Sequence, residues 1–339
     1  MKANQLLSIL VLGICLYIIW QIRQVLLLAL TAVVFATILN RAARYLQKRL
    51  PSHQVAVLVL SAVVLICFVI VGALIVPPFI NQLQELTQLI PQAVERLRAW
   101  SNYLAQVLPS PLLRNFQGLD ALMQRMQSLE LDMLFGRFFT LFSNTLNLTL
   151  NLLLVMVVTT MLLLNPQPYR HLFMRMFPAS IRYRIETVLD NCEASIVGWF
   201  VGILFNMSVI AVMSILGLWI LGVPLAFANG LLAGLLAFIP NLGPVISVIP
   251  PVAIALIESP WKAIAVVILY VLIQQTESNI LTPMVMKKQV SLLPAITLLS
   301  QVIFAVFFGF LGLLLALPMT LIIQNWLEEF WVKGYLDQH

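Results

Sequence analysis

The chain has 339 residues, 61% of them hydrophobic and only 9% charged, with a formal net charge of +6 and a mean hydropathy of +1.00. Soluble domains carry about 25% charged residues, so no soluble core absorbs this composition, and the bilayer is the solvent for most of the chain. The positive excess is not interleaved with aromatics. It reads as membrane topology and contact with anionic lipid, and nucleic acid is excluded as a partner.

In chain order, the first apolar run, 6–22, follows Lys2 and resembles a signal peptide in outline. It ends in Gln21-Ile22-Arg23-Gln24, which is no small-residue cleavage site, and a second run, 25–39, follows at once. The expectation is a retained helical hairpin with Arg23 in a tight turn. A third span is expected at 55–76 and a fourth at 146–164. Between them, Ile80, Leu83, Leu86 and Ile90, then Val94, Leu97 and Leu104, recur at helical spacing, and Pro109-Ser110-Pro111 marks a turn. This predicts two or three amphipathic helices outside the membrane. The domains are therefore N-terminal transmembrane helices over 1–76, an extracytoplasmic helical segment over 77–145, and a transmembrane transport region over 146–339.

A fifth span, 195–221, opens the longest uncharged run, 64 residues from Ala194 to Ile257. One crossing takes about 20 residues. The run is broken by Pro240-Asn241-Leu242-Gly243-Pro244 and by Pro250-Pro251. Breakers this deep free backbone groups that only protein or a water-filled cavity satisfies. A re-entrant hairpin is expected, with arms 226–239 and 245–257, Asn241 at its tip and Gly243 free to take positive φ. A short buried turn between two full spans is the alternative.

The next span, 263–276, ends in Gln274-Gln275-Thr276-Glu277-Ser278-Asn279, followed by Thr282-Pro283. A bare carboxylate at the bilayer centre costs about 2.5–3.5 kcal/mol on insertion scales. Glu277 is thus expected near the inner boundary as a proton or cation handle, with Gln274, Gln275 and Asn279 beside it. Alternatively it caps the helix or pairs with Lys287 or Lys288. The last uncharged run, 289–327, spans 39 residues. It is too long for one crossing, and Ser300-Gln301, Gly309 and Gly312 suggest a second hairpin with arms 293–308 and 310–326. Opposed hairpins near the midplane are a transporter arrangement. Asn206 reads as an interhelical hydrogen bond, and Glu258 with Lys262 as an interfacial ion pair.

Clusters of Arg41, Arg44, Lys48 and Arg49, of Arg170, Arg175, Arg182 and Arg184, and of Lys287 and Lys288 place three loops and both termini in the cytoplasm. The three cysteines (Cys15, Cys67, Cys192) and three histidines (His53, His171, His339) form no ligand spacing, so no metal or other cofactor is expected, and the histidines read as solvated. No P-loop, nucleophile elbow, HExxH or Rossmann pattern occurs, so an enzyme is not expected.

Phe238-Ile239-Pro240-Asn241-Leu242-Gly243-Pro244 with Ile249-Pro250-Pro251, Glu277-Ser278-Asn279-Ile280-Leu281-Thr282-Pro283, and Phe308-Gly309-Phe310-Leu311-Gly312 running to Ala316-Leu317-Pro318 together resemble the autoinducer-2 exporter (AI-2E) family of bacterial permeases. Lys287-Lys288-Gln289 departs from that pattern. The resemblance implies an all-α polytopic protein of about eight membrane segments in the inner (plasma) membrane and a homo-oligomer. It also implies export of a small polar signalling molecule, or sodium- or proton-coupled cation antiport. Substrate contacts would fall to Pro240, Asn241, Gly243, Pro244, Gln274, Gln275, Glu277, Asn279, Gln301, Gly309 and Gly312. A non-transporting scaffold is the reading from another class.

Overall fold

The computed structural model describes residues 13–73 (apart from 16, 19 and 71), 145–239, 242–281, 283 and 293–336. The expected outer segment and its amphipathic helices lie outside these, as do Pro240, Asn241, Lys287 and Lys288. All regular structure among the described residues is helical. Five helices there are long and apolar enough to cross a membrane: Arg23–Gln47, His53–Ile70, Ala179–Ile220, Pro260–Leu281 and Ala295–Lys333. The pair Leu150–Leu164 and Pro166–Arg175, bent by 87°, brings the number to six if it counts as one span. The protein is an all-α polytopic membrane protein.

The chain divides into two units. Unit 1 holds residues 1–66, 146–201 and 286–339. Its elements are α1 (Arg23–Gln47), most of α2 (His53–Ile70), α3 (Thr145–Leu164), α4 (Pro166–Arg175), the start of α5 (Arg182–Ile220) and α10 (Pro294–Leu327). Leu27, Val34 and Ile38 of α1 pack on Ile196 of α5 and Leu315 of α10. A second cluster joins Ala36 and Ala43 of α1 to Val57 of α2 and Leu163 of α3. Among the described residues before α1, Ile22 (φ −92°, ψ 7°) departs from helical geometry beside Arg23, while i→i−4 bonds run from Ile22 N to Ile18 O at 3.0 Å and from Leu26 N to Ile22 O at 3.1 Å. His53 is not simply solvated. Its Nε2 lies 3.0 Å from the Leu163 carbonyl oxygen and its Nδ1 3.3 Å from Gln47 Oε1, so it ties together the ends of three helices. Two further elements depart from expectation. The helix expected at 195–221 begins at Arg182, and the basic loop after the fourth span contains α4.

α10 is two helices in one run. Gly309 takes φ 66°, ψ −149°. A Cβ on Gly312 would lie 2.2 Å from the Phe304 carbonyl oxygen. In an unbroken helix those two positions are about 12 Å apart along the axis. The chain therefore folds back at Gly309, as the sequence led us to expect.

Unit 2 holds residues 67–145 and 202–285. It takes the rest of α5, then α6 (Ala226–Leu236), α7 (Leu242–Ser247), α8 (Ile249–Glu258) and α9 (Pro260–Thr276), which runs on into a π-helical turn, Glu277–Leu281. α5 stops at a Schellman cap: Gly222 (φ 63°) donates its N–H to Trp219 O at 3.0 Å and Val223 to Leu218 O at 2.9 Å. Leu218 and Val223 join the same core cluster, which closes the motif. Proline opens both α8 and α9, where the missing N–H costs nothing. The return arm expected at 245–257 is divided into α7 and α8, with a turn at Val248 just before Pro250 and Pro251.

Gly243 corrects an expectation. It does not take positive φ. It is needed for space, because a Cβ there would lie 2.0 Å from the Leu236 carbonyl oxygen where α7 doubles back on α6.

Candidate functional site

The second half of α5 and α9 pack side by side. Asn206 meets Glu277, Ser214 lies beside Tyr270, a Cβ on Gly217 would strike Leu269 Cδ1 at 2.5 Å, and Lys262 Nζ donates to Gly222 O at 2.7 Å. As the α5 number rises the α9 number falls, so the helices are antiparallel. α6 covers α5 from another side. A Cβ on Gly230 would meet Ile215 Cγ1 at 2.4 Å, and one on Gly234 would meet Ala211 Cβ at 2.6 Å. Two glycines four apart let the backbones close up, as small residues do between membrane helices. Lys262 also pairs with Glu258, the ion pair read from sequence, and holds its charge on the carbonyl end of α5.

The helix pair carries a line of buried polar groups. Asn206 and Ser214 stand two turns apart on α5, and Tyr270 and Glu277 the same on α9. Exposure is 8% for Asn206, 0% for Ser214, 6% for Tyr270 and 4% for Glu277. Asn206 Nδ2 donates to Glu277 Oε1 at 2.9 Å. Asn206 Oδ1 and Glu277 Oε2 have no partner among the described residues, and the Ser214 and Tyr270 hydroxyls face each other across the interface within interaction range. Buried polar atoms are nearly always bonded, and each orphan costs about 1–3 kcal/mol. Two orphaned acceptors meeting at one point of an apolar interface make it the candidate site. Glu277 also opens the π turn, a distortion frequent at functional sites.

The other residues singled out from sequence divide. Of the polar run at the end of α9, only Glu277 points inward. Gln274 Nε2 donates to Ser278 Oγ at 3.3 Å and Asn279 Nδ2 to Gln275 Oε1 at 2.9 Å, all along the helix surface. Glu277 is therefore buried against α5, and among the described residues its partner is Asn206, neither a cap nor a lysine. Pro244 is half-buried, and its carbonyl accepts from Ser247 Oγ at 3.1 Å. Gln301, in unit 1, is 3% exposed with Oε1 unpartnered. Gly309 stands in open space, and Gly312 closes the α10 hairpin. The interhelical hydrogen bond read for Asn206 is present, with Glu277 as its acceptor, whereas sequence reasoning missed Ser214 and Tyr270. The available signal was the spacing of polar residues, 206 to 214 and 270 to 277, each about two helical turns inside apolar sequence. Among the described residues no group of three or more His, Cys, Asp or Glu could hold a metal ion.

Comparison with known proteins agrees with this architecture. The profile described as "AI-2E family transporter" matches residues 6–331. The AI-2 transport protein TqsA of Escherichia coli K12 is 28% identical over 346 residues, covering 96% of this chain and 93% of its own. YueF of Bacillus subtilis 168 is 23% identical, covering 85% of this chain and 79% of its own, and sll0060 of Synechocystis is 26% identical, covering 95% of each. The names of these last two propose a transport role and no substrate. With that profile spanning nearly the whole chain, this polytopic membrane protein belongs to the AI-2E transporter family, and it is a membrane transporter.

Proposed function

We propose that this transporter is a secondary exporter of a small polar metabolite or signalling molecule, autoinducer-2-like in polarity, and that the α5–α9 polar line lies on its path. The observation carrying the reading is the pair of unpartnered buried acceptors, Asn206 Oδ1 and Glu277 Oε2, in line with the Ser214 and Tyr270 hydroxyls on one helix pair. A polar solute gives up hydration on entering a membrane, and acceptors without partners replace it. Gly243 and Pro244, at the break between α6 and α7, are assigned to the same path; Pro240 and Asn241 join them on the sequence pattern alone, and Gln301, Gly309 and Gly312 are assigned to transport from the pattern of the second hairpin. Gln274, Gln275 and Asn279 extend the polar surface beyond Glu277. With transport as the family's role, the scaffold reading has nothing to support it.

A second reading has its own support. Glu277 Oε2 and Asn206 Oδ1 are both acceptors, which suits a proton or a sodium ion better than a hydrogen-bond acceptor on the solute. Coupling would then be antiport at Glu277, the carboxyl giving up its proton when the cation arrives. Inner-membrane location, cytoplasmic termini and a homo-oligomer complete the proposal, resting on the Lys and Arg distribution and the family resemblance.

Flux into proteoliposomes, measured with autoinducer-2-like solutes under imposed proton and sodium gradients, tests both readings. Solute movement without any gradient dependence supports the first alone. Cation movement without solute supports the second. No flux of either kind overturns both.

A further inference from the structure

We propose that unit 1 carries a site for one anionic glycerophospholipid, its phosphate held by Arg175 and Arg182 and one acyl chain lodged in the cavity beside them. Three observations meet there. The first is α4. It leaves α3 at 87°, so with α3 crossing the bilayer α4 lies along its surface. Tyr169, Leu172, Phe173 and Met176 follow the i, i+3, i+4, i+7 spacing of one helix face, and they are 44%, 66%, 37% and 76% exposed. An exposed apolar face on a surface-parallel helix with Arg170, His171 and Arg175 is the design of an interfacial helix.

The second observation is a cavity of about 350 Å³ lined by Phe177, Ile181, Trp326, Leu327, Phe330 and Trp331. This volume falls in the range of ligand pockets. Its wall is built of rings: Phe177 packs on Phe173 at 5.3 Å and on Trp326 at 6.2 Å, and Trp326 stacks on Phe330 at 5.4 Å. Apart from the indole N–H groups of Trp326 and Trp331 the lining is apolar, so the occupant it suits is a hydrocarbon.

The third is charge at the rim. Arg182 follows the lining residue Ile181, and its Nε donates to Phe177 O at 3.0 Å, which leaves the terminal nitrogens of the fork outward. Arg175 stands two residues before Phe177 and is exposed. Among the described residues neither has an ion-pair partner, whereas Arg170 is engaged by Glu186 and Asp190, and Lys333 by Glu328 and Glu329. The exposed guanidinium of Arg182, anchored at the cavity's edge, with the exposed Arg175 two residues before the lining Phe177, matches a phosphate joined to an acyl chain.

Native mass spectrometry of the purified full chain tests the assignment, with phosphatidylglycerol and phosphatidylcholine as probes. We expect wild type to retain phosphatidylglycerol at least fivefold over phosphatidylcholine, and added salt to weaken that retention. Arg175→Gln/Arg182→Gln should lose the preference, Arg175→Lys/Arg182→Lys should keep part of it, and Arg41→Gln, an exposed arginine on α1, should leave it unchanged. Equal retention of the two lipids by wild type overturns the site, as does indifference to salt. So does an equal loss in Arg41→Gln, which would mean unspecific attraction. The salt series uses wild type alone, so it decides even if the double Gln variant fails to fold.

Discussion

Glu277 shows how a residue can be legible by type while its neighbour is not. It is the one acidic residue in its stretch, and sequence put it near the inner boundary. The structure buries it against a helix 71 positions away, with Asn206 Nδ2 as its partner among the described residues. We expect Glu277→Gln to abolish any proton or sodium dependence of flux while the protein still folds, since the shape and the bond from Asn206 survive. Flux that keeps its gradient dependence in this variant removes Glu277 from coupling. Asn206→Leu should be worse for stability, because it takes away the donor and leaves a buried carboxyl with none. The cost is about 1–3 kcal/mol, read as a lower melting temperature in detergent. In the Asn206→Leu/Glu277→Gln variant part of that loss should return. Strict additivity of the two changes would show that the pair is uncoupled.

At the scale of elements, glycine does two different jobs in the α10 hairpin. Gly309 has φ 66° and ψ −149°, a region essentially confined to glycine, with nothing within 4 Å of a Cβ. Gly309→Ala should therefore cost about 1–3 kcal/mol through backbone strain alone. Gly312 has ordinary helical backbone but a carbonyl oxygen 2.2 Å from where a Cβ would sit. Gly312→Ala should force the two arms apart and cost more than Gly309→Ala. Melting of both variants in one detergent ranks them, and the reverse order would contradict the folded-back hairpin. Gly234→Leu should likewise prise α6 from α5, whose Ala211 and Met207 stand where a side chain would go. A variant that folds and transports like wild type would show that this packing is dispensable.

At the scale of the whole molecule, the Lys and Arg clusters argue for one orientation. Cysteines introduced at Lys48 and Arg175 should react with an impermeant thiol reagent from the cytoplasmic side, and one at Pro109 from the other, in a background without Cys15, Cys67 and Cys192. Labelling of positions 109 and 175 from the same side would reverse the assigned topology. The bend of 87° between α3 and α4 belongs to this scale too, because what reads as a basic loop contains a helix set off from the span before it.

The sequence by itself determined the solvent, the breakers and the residue types. A chain with 9% charge has to be membrane-embedded, Gly309 marks a break inside α10 and Pro250, Pro260 and Pro294 mark helix starts, and the motifs around Pro240, Glu277 and Gly309 resemble its family. Which side of each helix faces protein was decided only by tertiary structure. The physical reason is that a helix in lipid is apolar on every face, so the amphipathic contrast that reveals the inner side of a soluble helix is absent from α5 and α10. Asn206 on α5 reads from sequence as an interhelical hydrogen bond, and only folding names Glu277 as its partner. Gly243 could only be credited with conformational freedom until α7 closed on α6 and made space the reason. The line of Asn206, Ser214, Tyr270 and Glu277 joins positions from two distant parts of the chain, and only their packing turns four scattered polar residues into one site.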